Sequence, residues 1–232
     1  LLLYSQASDL SQEEIDKIEA YLAENGSLML FTDCDEEDLP RLHAMMAKRG
    51  VEAVDGMVVE GDSSYYMSNY PNYLIPQLEN HEITEPLISG NYYVLMPMTQ
   101  GLKITAQTDE TEQAETDETD ASLSVTALLS TTADAYSKIK GLQATDAEKE
   151  DGDIAADADG FALAAAITEQ TEIGESKLVW VASTALISSQ IDQLVSGGNT
   201  DFVTNAMGWL CEMEDSISIH AKTISYEYLT LT

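Results

Sequence analysis

The sequence predicts an α/β fold in which a mostly parallel sheet is flanked by helices, and two stretches carry this prediction. At the N-terminus, an apolar run at 1–4, a helical stripe after Ser11 and the run Ser27–Phe31 make a strand–helix–strand unit of the usual βαβ size. Near the C-terminus, the apolar run at 178–182 precedes a polar crossover and a helical period that ends at Leu210. Parallel strands are covered on both faces and therefore read as continuously apolar, as both runs do.

Capping signals set the limits of the first two helices. Ser11 and Glu14 have the spacing of a capping box, and the Asn25-Gly26 pair is typical of a helix C-terminus. A second helix is predicted over 39–49, because Pro40 is tolerated in a first turn and a leucine and methionine stripe follows it.

The rest of the chain predicts one large domain over 1–232 with short elements. Further strands are predicted at 51–54, 57–59, 92–98, 102–105, 122–131, 161–168 and 216–221. Residues 133–140 predict a turn or a short helix. Two acidic insertions, near 106–121 and 144–160, read as solvated loops because they carry many carboxylates and few apolar residues.

Charge is the dominant compositional feature, with 42 acidic against 10 basic residues and a net charge of −32. A chain of this charge is repelled by nucleic acid and by anionic lipid headgroups, so neither is expected as a direct partner. Solubility of an exposed protein explains the excess, and binding of cations or of a basic partner is the alternative. No apolar run approaches the ~20 residues that cross a bilayer, and we expect any membrane or targeting segment to lie outside this sequence.

No motif predicts a metal site or a cofactor. The stretch 151–160 carries four aspartates, but their alternation is broken and Ala162 stands where a calcium-binding EF-hand loop needs glutamate. Neither a Rossmann fingerprint nor a phosphate-binding P-loop occurs. Gly197-Gly198 precedes a helix, yet Asp201 occupies its first turn, which favours a structural role over a phosphate site.

No catalytic residue is predicted either. Cys34 follows a predicted strand, where α/β enzymes place nucleophiles, but its acidic neighbours would raise a thiol pKa. The three histidines lie on a helix, a turn and a strand, so none is placed to act as its base. Two buried thiols, Cys34 and Cys211, are favoured over a disulfide because two cysteines make no disulfide framework.

Four small polar residues form the first candidate ligand site. If the strands at 27–31 and 178–182 are adjacent and parallel, Thr32, Asp33, Ser183 and Thr184 all follow their carboxyl ends. Open α/β sheets bind ligands at that edge. These side chains would hold a small polar ligand, or they would serve as helix caps.

A tyrosine-rich segment at 62–75 forms the second candidate. Four tyrosines lie among serine, asparagine and proline without a regular period, which predicts an irregular loop. The rings either pack this loop onto the domain or present a surface to a partner or a sugar, since tyrosine supplies contact area at low entropic cost. Tyr65 and Tyr70 are the candidate binding residues.

Six segments follow one another in a characteristic order: DLSQEEIDKIEAYLAENGSLMLF, LPRLHAMMAKRGVEAVDGMVVEGD, HEITEPL, DGFALAAAIT, KLVWVASTALISS and GGNTDFVTNAMGWLCEMEDSISI. With these segments the chain resembles the GldG-like auxiliary components of ABC-type transport systems, a group that includes a gliding-motility protein. One departure is Ala182-Ser183-Thr184, where relatives often carry Asp-Ser-Asp.

The resemblance implies a three-layer sandwich of the class I glutamine-amidotransferase-like, flavodoxin-like kind. It also implies a non-enzymatic accessory domain on the outer face of a bacterial membrane, associated with an ABC permease and ATPase. It supplies no catalytic residue and no cofactor. Two alternatives follow from the candidate sites: a hydrolase that uses the sheet-edge pocket, and a carbohydrate- or peptide-binding module that uses the tyrosine-rich segment.

Overall fold

The computed structural model describes residues 1–5, 8–34, 39–106, 123–144 and 147–212. The helices in these ranges are α1 (Gln12–Ala23), α2 (Pro40–Ala47), α3 (Glu85–Gly90), α4 (Ser189–Leu194) and α5 (Gly198–Leu210). The strands are β1 (Leu2–Tyr4), β2 (Ser27–Phe31), β3 (Val51–Val54), β4 (Met57–Val59), β5 (Tyr66–Met67), β6 (Tyr70–Leu74), β7 (Gln77–Leu78), β8 (Met96–Pro97), β9 (Gly101–Ile104), β10 (Leu123–Ser130), β11 (Tyr136–Lys138), β12 (Ile154–Ala155), β13 (Ala162–Gln170) and β14 (Glu175–Val181). The predicted strand at 216–221 and nearly all of the acidic insertion near 106–121 lie outside the described residues.

An eight-stranded mixed sheet forms the centre of the fold. Its main order is β1-β2-β14-β13-β10-β7, and β9 joins it by pairing with both β13 and β3. The pairings of β1 with β2 and of β2 with β14 are parallel, whereas all the other pairings in this sheet are antiparallel. Two small three-stranded sheets, β12-β11-β4 and β5-β6-β8, complete the strands.

The predicted fold class, a mostly parallel flavodoxin-like sheet flanked by helices, is therefore wrong. The β1-α1-β2 unit is parallel as predicted, but β13 and β14 are joined by only four residues, 171–174. A parallel connection needs a crossover of about a dozen residues, and a turn this short therefore forces an antiparallel pair. The apolar run of β13 does not reveal this direction, because a parallel and an antiparallel strand covered on both faces have the same composition.

Both faces of the central sheet are indeed covered by apolar packing. In β14, Leu178 and Trp180 face a core that contains the apolar stripes of α1 and α2. The intervening Val179 and Val181 face a second core, to which α3 and α5 contribute. Alternate residues of a strand point to opposite faces, so burial on both sides requires the unbroken apolar run seen in the sequence.

Local signals explain where the first helices start. Ser11 caps α1, because its main-chain N–H donates to the Glu14 carboxylate at 2.8 Å and its hydroxyl oxygen accepts the Glu14 N–H at 3.3 Å. This is the predicted capping box. Pro40 is the first residue of α2, and this helix is shorter than predicted, since it ends at Ala47 rather than 49.

Two predictions about the middle of the chain are wrong. The tyrosine-rich segment is not an irregular loop, because β5 and β6 pair within it and β6 also pairs with β8. Residues 136–138 form β11 between β12 and β4 instead of a turn or helix. Strands of two to five residues are too short to show an alternating pattern, and the β5–β6 pairing also contains a register shift.

Candidate functional site

The carboxyl ends of β2 and β14 meet at one edge of the sheet, as the site hypothesis required. The two strands are parallel neighbours in a register that places Phe31 beside Val181. The main-chain N–H of Thr32 continues the ladder by donating to the carbonyl oxygen of Val181 at 3.1 Å. The residues that follow each strand are therefore brought together, and we call Thr32, Asp33, Ser183 and Thr184 the sheet-edge residues.

Asp33 and Thr184 form a latch between the two strand ends. The N–H of Thr184 donates to Oδ1 of Asp33 at 2.8 Å, and the Thr184 hydroxyl donates to the other carboxylate oxygen. Both residues are half-buried. One carboxylate thus satisfies the backbone and the hydroxyl of the opposing strand end, which is the geometry of a cap rather than of an open ligand site.

The other two sheet-edge hydroxyls are fully buried and point at protein groups. The Thr32 hydroxyl oxygen accepts a hydrogen bond of 2.9 Å from the indole Nε1–H of Trp180, and Trp180 is itself fully buried. The Ser183 hydroxyl donates to the carbonyl oxygen of Pro97 at 2.8 Å. All four sheet-edge side chains are therefore engaged in hydrogen bonds within the protein.

The segment 97–100 packs against this edge, and sequence reasoning assigned it no role. The Cys34 thiol donates to the carbonyl oxygen of Met98 at 3.1 Å, and the N–H of Gln100 donates to the carbonyl oxygen of Ala182 at 3.0 Å. Met98 has a φ of 50°, in the left-handed region. Oε1 of Gln100 is buried without a hydrogen-bond partner among the described residues. No local sequence signal marks such an oxygen, because its burial depends on tertiary packing.

The two candidate tyrosines differ in their exposure to solvent. Tyr65 is half-buried, and its backbone carbonyl accepts the N–H of Ile75 at 2.8 Å. Tyr70 is 58% exposed, and its ring centroid lies 5.5 Å from that of Tyr73 at an interplanar angle of 52°. Of the two, Tyr70 has the exposed ring that a surface contact needs.

The tyrosine-bearing strand adjoins the sheet edge through β8. Tyr73 pairs with Pro97 in the β6–β8 ladder, and Pro97 also accepts the hydroxyl of Ser183. The N–H of Met98 donates to the carbonyl oxygen of Asn72 at 2.8 Å. The two candidate sites are thus neighbours, joined by β8 and the residues after it.

Asp153, in the second acidic insertion, is held by other protein groups. Asp153 accepts N–H groups from Glu150 at 2.8 Å and from Ile139 at 3.1 Å. Burial raises the pKa of Asp153, but these hydrogen bonds and the charge of Lys138 outweigh it and hold the pKa below its usual range. In the part of the chain that the structure describes, no group of three or more histidine, cysteine, aspartate or glutamate residues is placed to hold a metal ion.

Protein groups also occupy the N-terminus of α5, where the sequence offers Gly197-Gly198 as a weak phosphate-site candidate. The carboxylate of Asp192 accepts the N–H of Thr200 at 3.0 Å and its hydroxyl at 2.8 Å. The backbone packs tightly here, because a Cβ on Gly198 would lie 2.1 Å from the carbonyl oxygen of Tyr93. Gly198 is therefore needed for close packing rather than for approach to a phosphate.

Among the described residues, no cysteine and histidine form a catalytic pair. Cys34 is half-buried and Cys211 is exposed, so the prediction of two buried thiols fails for Cys211, and neither forms a disulfide. His43 lies against the ring of Trp180, with centroids 6.1 Å apart. His81 packs edge-on against Trp209, with centroids 5.2 Å apart.

Two surface clefts lie away from the sheet edge. The larger, of about 640 Å³, is lined by α1, Arg49, the end of β13 and the β13–β14 turn. The smaller, of about 400 Å³, lies on the other side of that turn, beside Ser27 and Lys177. Neither contains a sheet-edge residue. Across the described ranges, no helix has the length and apolar character needed to cross a membrane.

Comparison with known proteins establishes the fold alone. The sequence matches no protein-family model and no curated protein. A similar solved structure is the "mmIFT52 N-terminal domain", with a TM-score of 0.58, 15% sequence identity, and coverage of 94% of this chain and 79% of that chain. At this level of identity the likeness supports the mixed, strand-rich architecture described above and says nothing further about function.

Proposed function

We propose that this chain is a non-enzymatic accessory domain that binds a protein partner in an ABC transport system, on the outer face of a bacterial membrane. The ordered segments that resemble the GldG-like components support the transport context. The structure bears on this role through the engagement of all four sheet-edge side chains by other protein groups, because that engagement disfavours a small-ligand site at this edge. A sheet edge used in this way fixes the scaffold and leaves molecular recognition to the surface.

The geometry disfavours the hydrolase alternative. A serine nucleophile needs a base within hydrogen-bond reach of its hydroxyl, but the Ser183 hydroxyl is fully buried and donates to a main-chain carbonyl. Asp33 is held by both the backbone and the side chain of Thr184. Freeing either group would require breaking the contacts that join β14 to β2 and β8.

Co-purification tests the transport context. The protein is tagged, expressed in its own cells and isolated from membranes in a mild detergent. We expect permease and ATPase subunits to accompany it, whereas a tagged membrane protein of unrelated function, prepared in parallel, should recover neither. Absence of both subunits from the tagged protein would overturn the proposal.

A substrate screen tests the non-enzymatic role. The purified domain is assayed against ester, peptide and glycosidic substrates, with Asp33→Ala and Ser183→Ala as variants. We expect no turnover that depends on these residues. An activity that is present in the wild type and lost in both folded variants would replace the accessory role with a hydrolase.

A second candidate function, carbohydrate or peptide binding through the tyrosine-rich segment, is favoured by the exposed ring of Tyr70 beside Tyr73. Aromatic faces bind apolar surfaces of such ligands with little loss of entropy. A glycan and peptide array compares wild type with Tyr70→Ala, and Tyr93→Ala serves as a matched control because Tyr93 is 57% exposed. Binding that survives Tyr70→Ala would exclude this surface.

A further inference from the structure

The turn between β13 and β14 presents an apolar residue to solvent. Ile173 is 68% exposed, more than any other large apolar side chain of the described residues. Single exposed apolar residues are common on protein surfaces and alone indicate nothing. The surroundings of Ile173, its fixed backbone and the adjoining cleft, distinguish it from such residues.

Hydrogen bonds to Asn25 hold the turn in one conformation. The Thr171 hydroxyl donates to Oδ1 of Asn25 at 2.5 Å, and Nδ2 of Asn25 donates to the carbonyl oxygen of Ile173 at 3.2 Å. The same hydroxyl oxygen accepts the N–H groups of Ile173 at 3.3 Å and Gly174 at 3.1 Å. A Cβ on Gly174 would lie 2.6 Å from Nδ2 of Asn25, so a larger residue there would displace the Asn25 side chain. The Ile173 backbone is thus ordered before any partner arrives.

The cleft of about 640 Å³ beside this turn is lined by more acidic than basic residues. Four glutamates and one arginine line it, together with apolar groups of α1: Glu19, Glu24, Glu169, Glu172, Arg49, Leu22 and Ala23. Arg49 is already bound by Glu19 and Glu169, at 2.5 and 2.8 Å. Glu24 and Glu172 are exposed and make no ion pair with another described residue.

The end of α1 adds to the negative potential. Glu24 is the C-cap of this 12-residue helix, and no basic residue lies in the last turn. Helix C-termini carry a partial negative charge that a cation normally offsets. Here the cleft combines that helix end, two unpaired carboxylates and the fixed apolar side chain of Ile173.

We propose that the Ile173 turn and the adjoining cleft form a docking surface for a partner protein segment that carries lysine or arginine beside an apolar residue. The basic side chain lies between Glu24 and Glu172, and the apolar residue packs on Ile173. This surface deepens the proposed accessory role by naming the chemistry of the partner, but it does not depend on which transport system is involved. Preorganisation of the turn lowers the entropic cost of binding.

The test uses two synthetic amphipathic peptides and the purified chain. One peptide consists of leucine and lysine, and the other has glutamate in place of each lysine. Binding is measured by isothermal titration calorimetry at about 0.15 M NaCl, where the Debye length is about 8 Å and long-range attraction to the acidic surface is screened. We expect the lysine peptide to bind and the glutamate peptide not to bind.

Variants locate the binding. Ile173→Ser removes apolar contact and should weaken the lysine peptide about tenfold, and the Glu24→Gln, Glu172→Gln pair should weaken it about threefold to tenfold. The matched controls are Leu194→Ser and the pair Glu82→Gln, Glu85→Gln, all at exposed positions on other elements, and these should change the Kd less than about twofold. All changes are at exposed positions, so thermal melting should confirm that every variant stays folded.

Three results would overturn the docking surface: absence of lysine-peptide binding, equal losses in cleft and control variants, or equal binding of the glutamate peptide. Equal losses would mean general attraction to an acidic surface. These failures are separate from failure of the proposed function, because co-purification with permease and ATPase subunits does not use the peptides or the cleft variants.

Discussion

Arg49 ties two helices to the central sheet, and replacing it by methionine tests how much that tie stabilises the fold. The side chain is 7% exposed. Its Nε donates to the Glu169 carboxylate of β13 at 2.8 Å, its Nη2 to the Glu19 carboxylate of α1 at 2.5 Å, and its Nη1 to the carbonyl oxygen of Met45 in α2 at 3.2 Å. One guanidinium therefore links three elements of the same core.

The expected cost follows from the charges left behind. Removing one partner of a buried ion pair typically costs about 3–5 kcal/mol, because the remaining charge stays buried. The side chains of Glu19 and Glu169 keep 30% and 33% exposure and regain part of their hydration, which lowers our expectation for Arg49→Met to about 2–3 kcal/mol. Burial alone would lower the pKa of Arg49, but the hydrogen bonds and charges of both glutamates raise it above its usual value.

Urea unfolding followed by circular dichroism measures the effect. Neutralising the carboxylates in the triple variant Arg49→Met, Glu19→Gln, Glu169→Gln should restore stability to within about 1 kcal/mol of wild type, since no unpaired charge remains. Lys17→Met is the control, because its pair with Glu13 is 70% and 81% exposed and such pairs contribute at most about 1 kcal/mol. A loss below about 1 kcal/mol in Arg49→Met, or a triple variant no more stable than the single one, would refute the reasoning.

Three further predictions concern pH, a buried hydrogen bond and salt. Burial lowers the pKa of His81, and the charge of Glu82 opposes this shift in part. Nδ1 of His81 also accepts the N–H of Ile83. His81 therefore binds a proton less readily in the folded chain than in the unfolded chain. The free energy of unfolding should fall as the pH drops below about 6.5, and His81→Gln should flatten that part of the profile, whereas an unchanged profile would contradict the assignment. Trp180→Phe should cost about 2–4 kcal/mol in urea, from the smaller ring and the lost hydrogen bond to Thr32; a loss under 1 kcal/mol would show that the core relaxes around the change. Raising NaCl from about 0.05 to 0.5 M should raise the urea midpoint, because salt screens repulsion among the excess carboxylates, and a lower midpoint would contradict it.

Helix starts and strand runs could be predicted because they depend on neighbouring residues. The capping box of α1 and the apolar run of β2 are both local signals, and the structure places them where the sequence does. The parallel β1-α1-β2 unit follows from them, since a helical crossover between two buried strands returns the chain in the same direction.

Strand direction depends on connection length, which can be read from the sequence. Only four residues, 171–174, join β13 to β14, too few for a crossover, so an antiparallel hairpin was the available solution. Apolar composition is weak support for a parallel sheet, because it reports burial on both faces and not strand direction. A single reversed pair then changes the fold class, because β10 and β9 also add to β13 in antiparallel fashion.

The candidate site was predictable in position but not in chemical state. Adjacency of β2 and β14 places Asp33 and Thr184 together, as the sequence suggested, but their mutual hydrogen bonds depend on the packing of the two strand ends. The same limit applies to the segment 97–100, whose contacts with Cys34 and Ser183 join residues far apart in sequence.

The few basic residues of this acidic chain are largely engaged in ion pairs, which bears on binding. Of the 10 basic residues, six form ion pairs with acidic residues in the described part of the chain: Lys17, Arg41, Arg49, Lys138, Lys140 and Lys177. Even with every basic residue paired, 10 cations would leave an excess of 32 carboxylates. A partner that approaches this surface therefore gains most from bringing its own positive charge. Because such attraction is spread over the whole chain, specificity requires a local feature. The fixed turn that presents Ile173 supplies one, beside Glu24 and Glu172, which form no ion pair with another described residue.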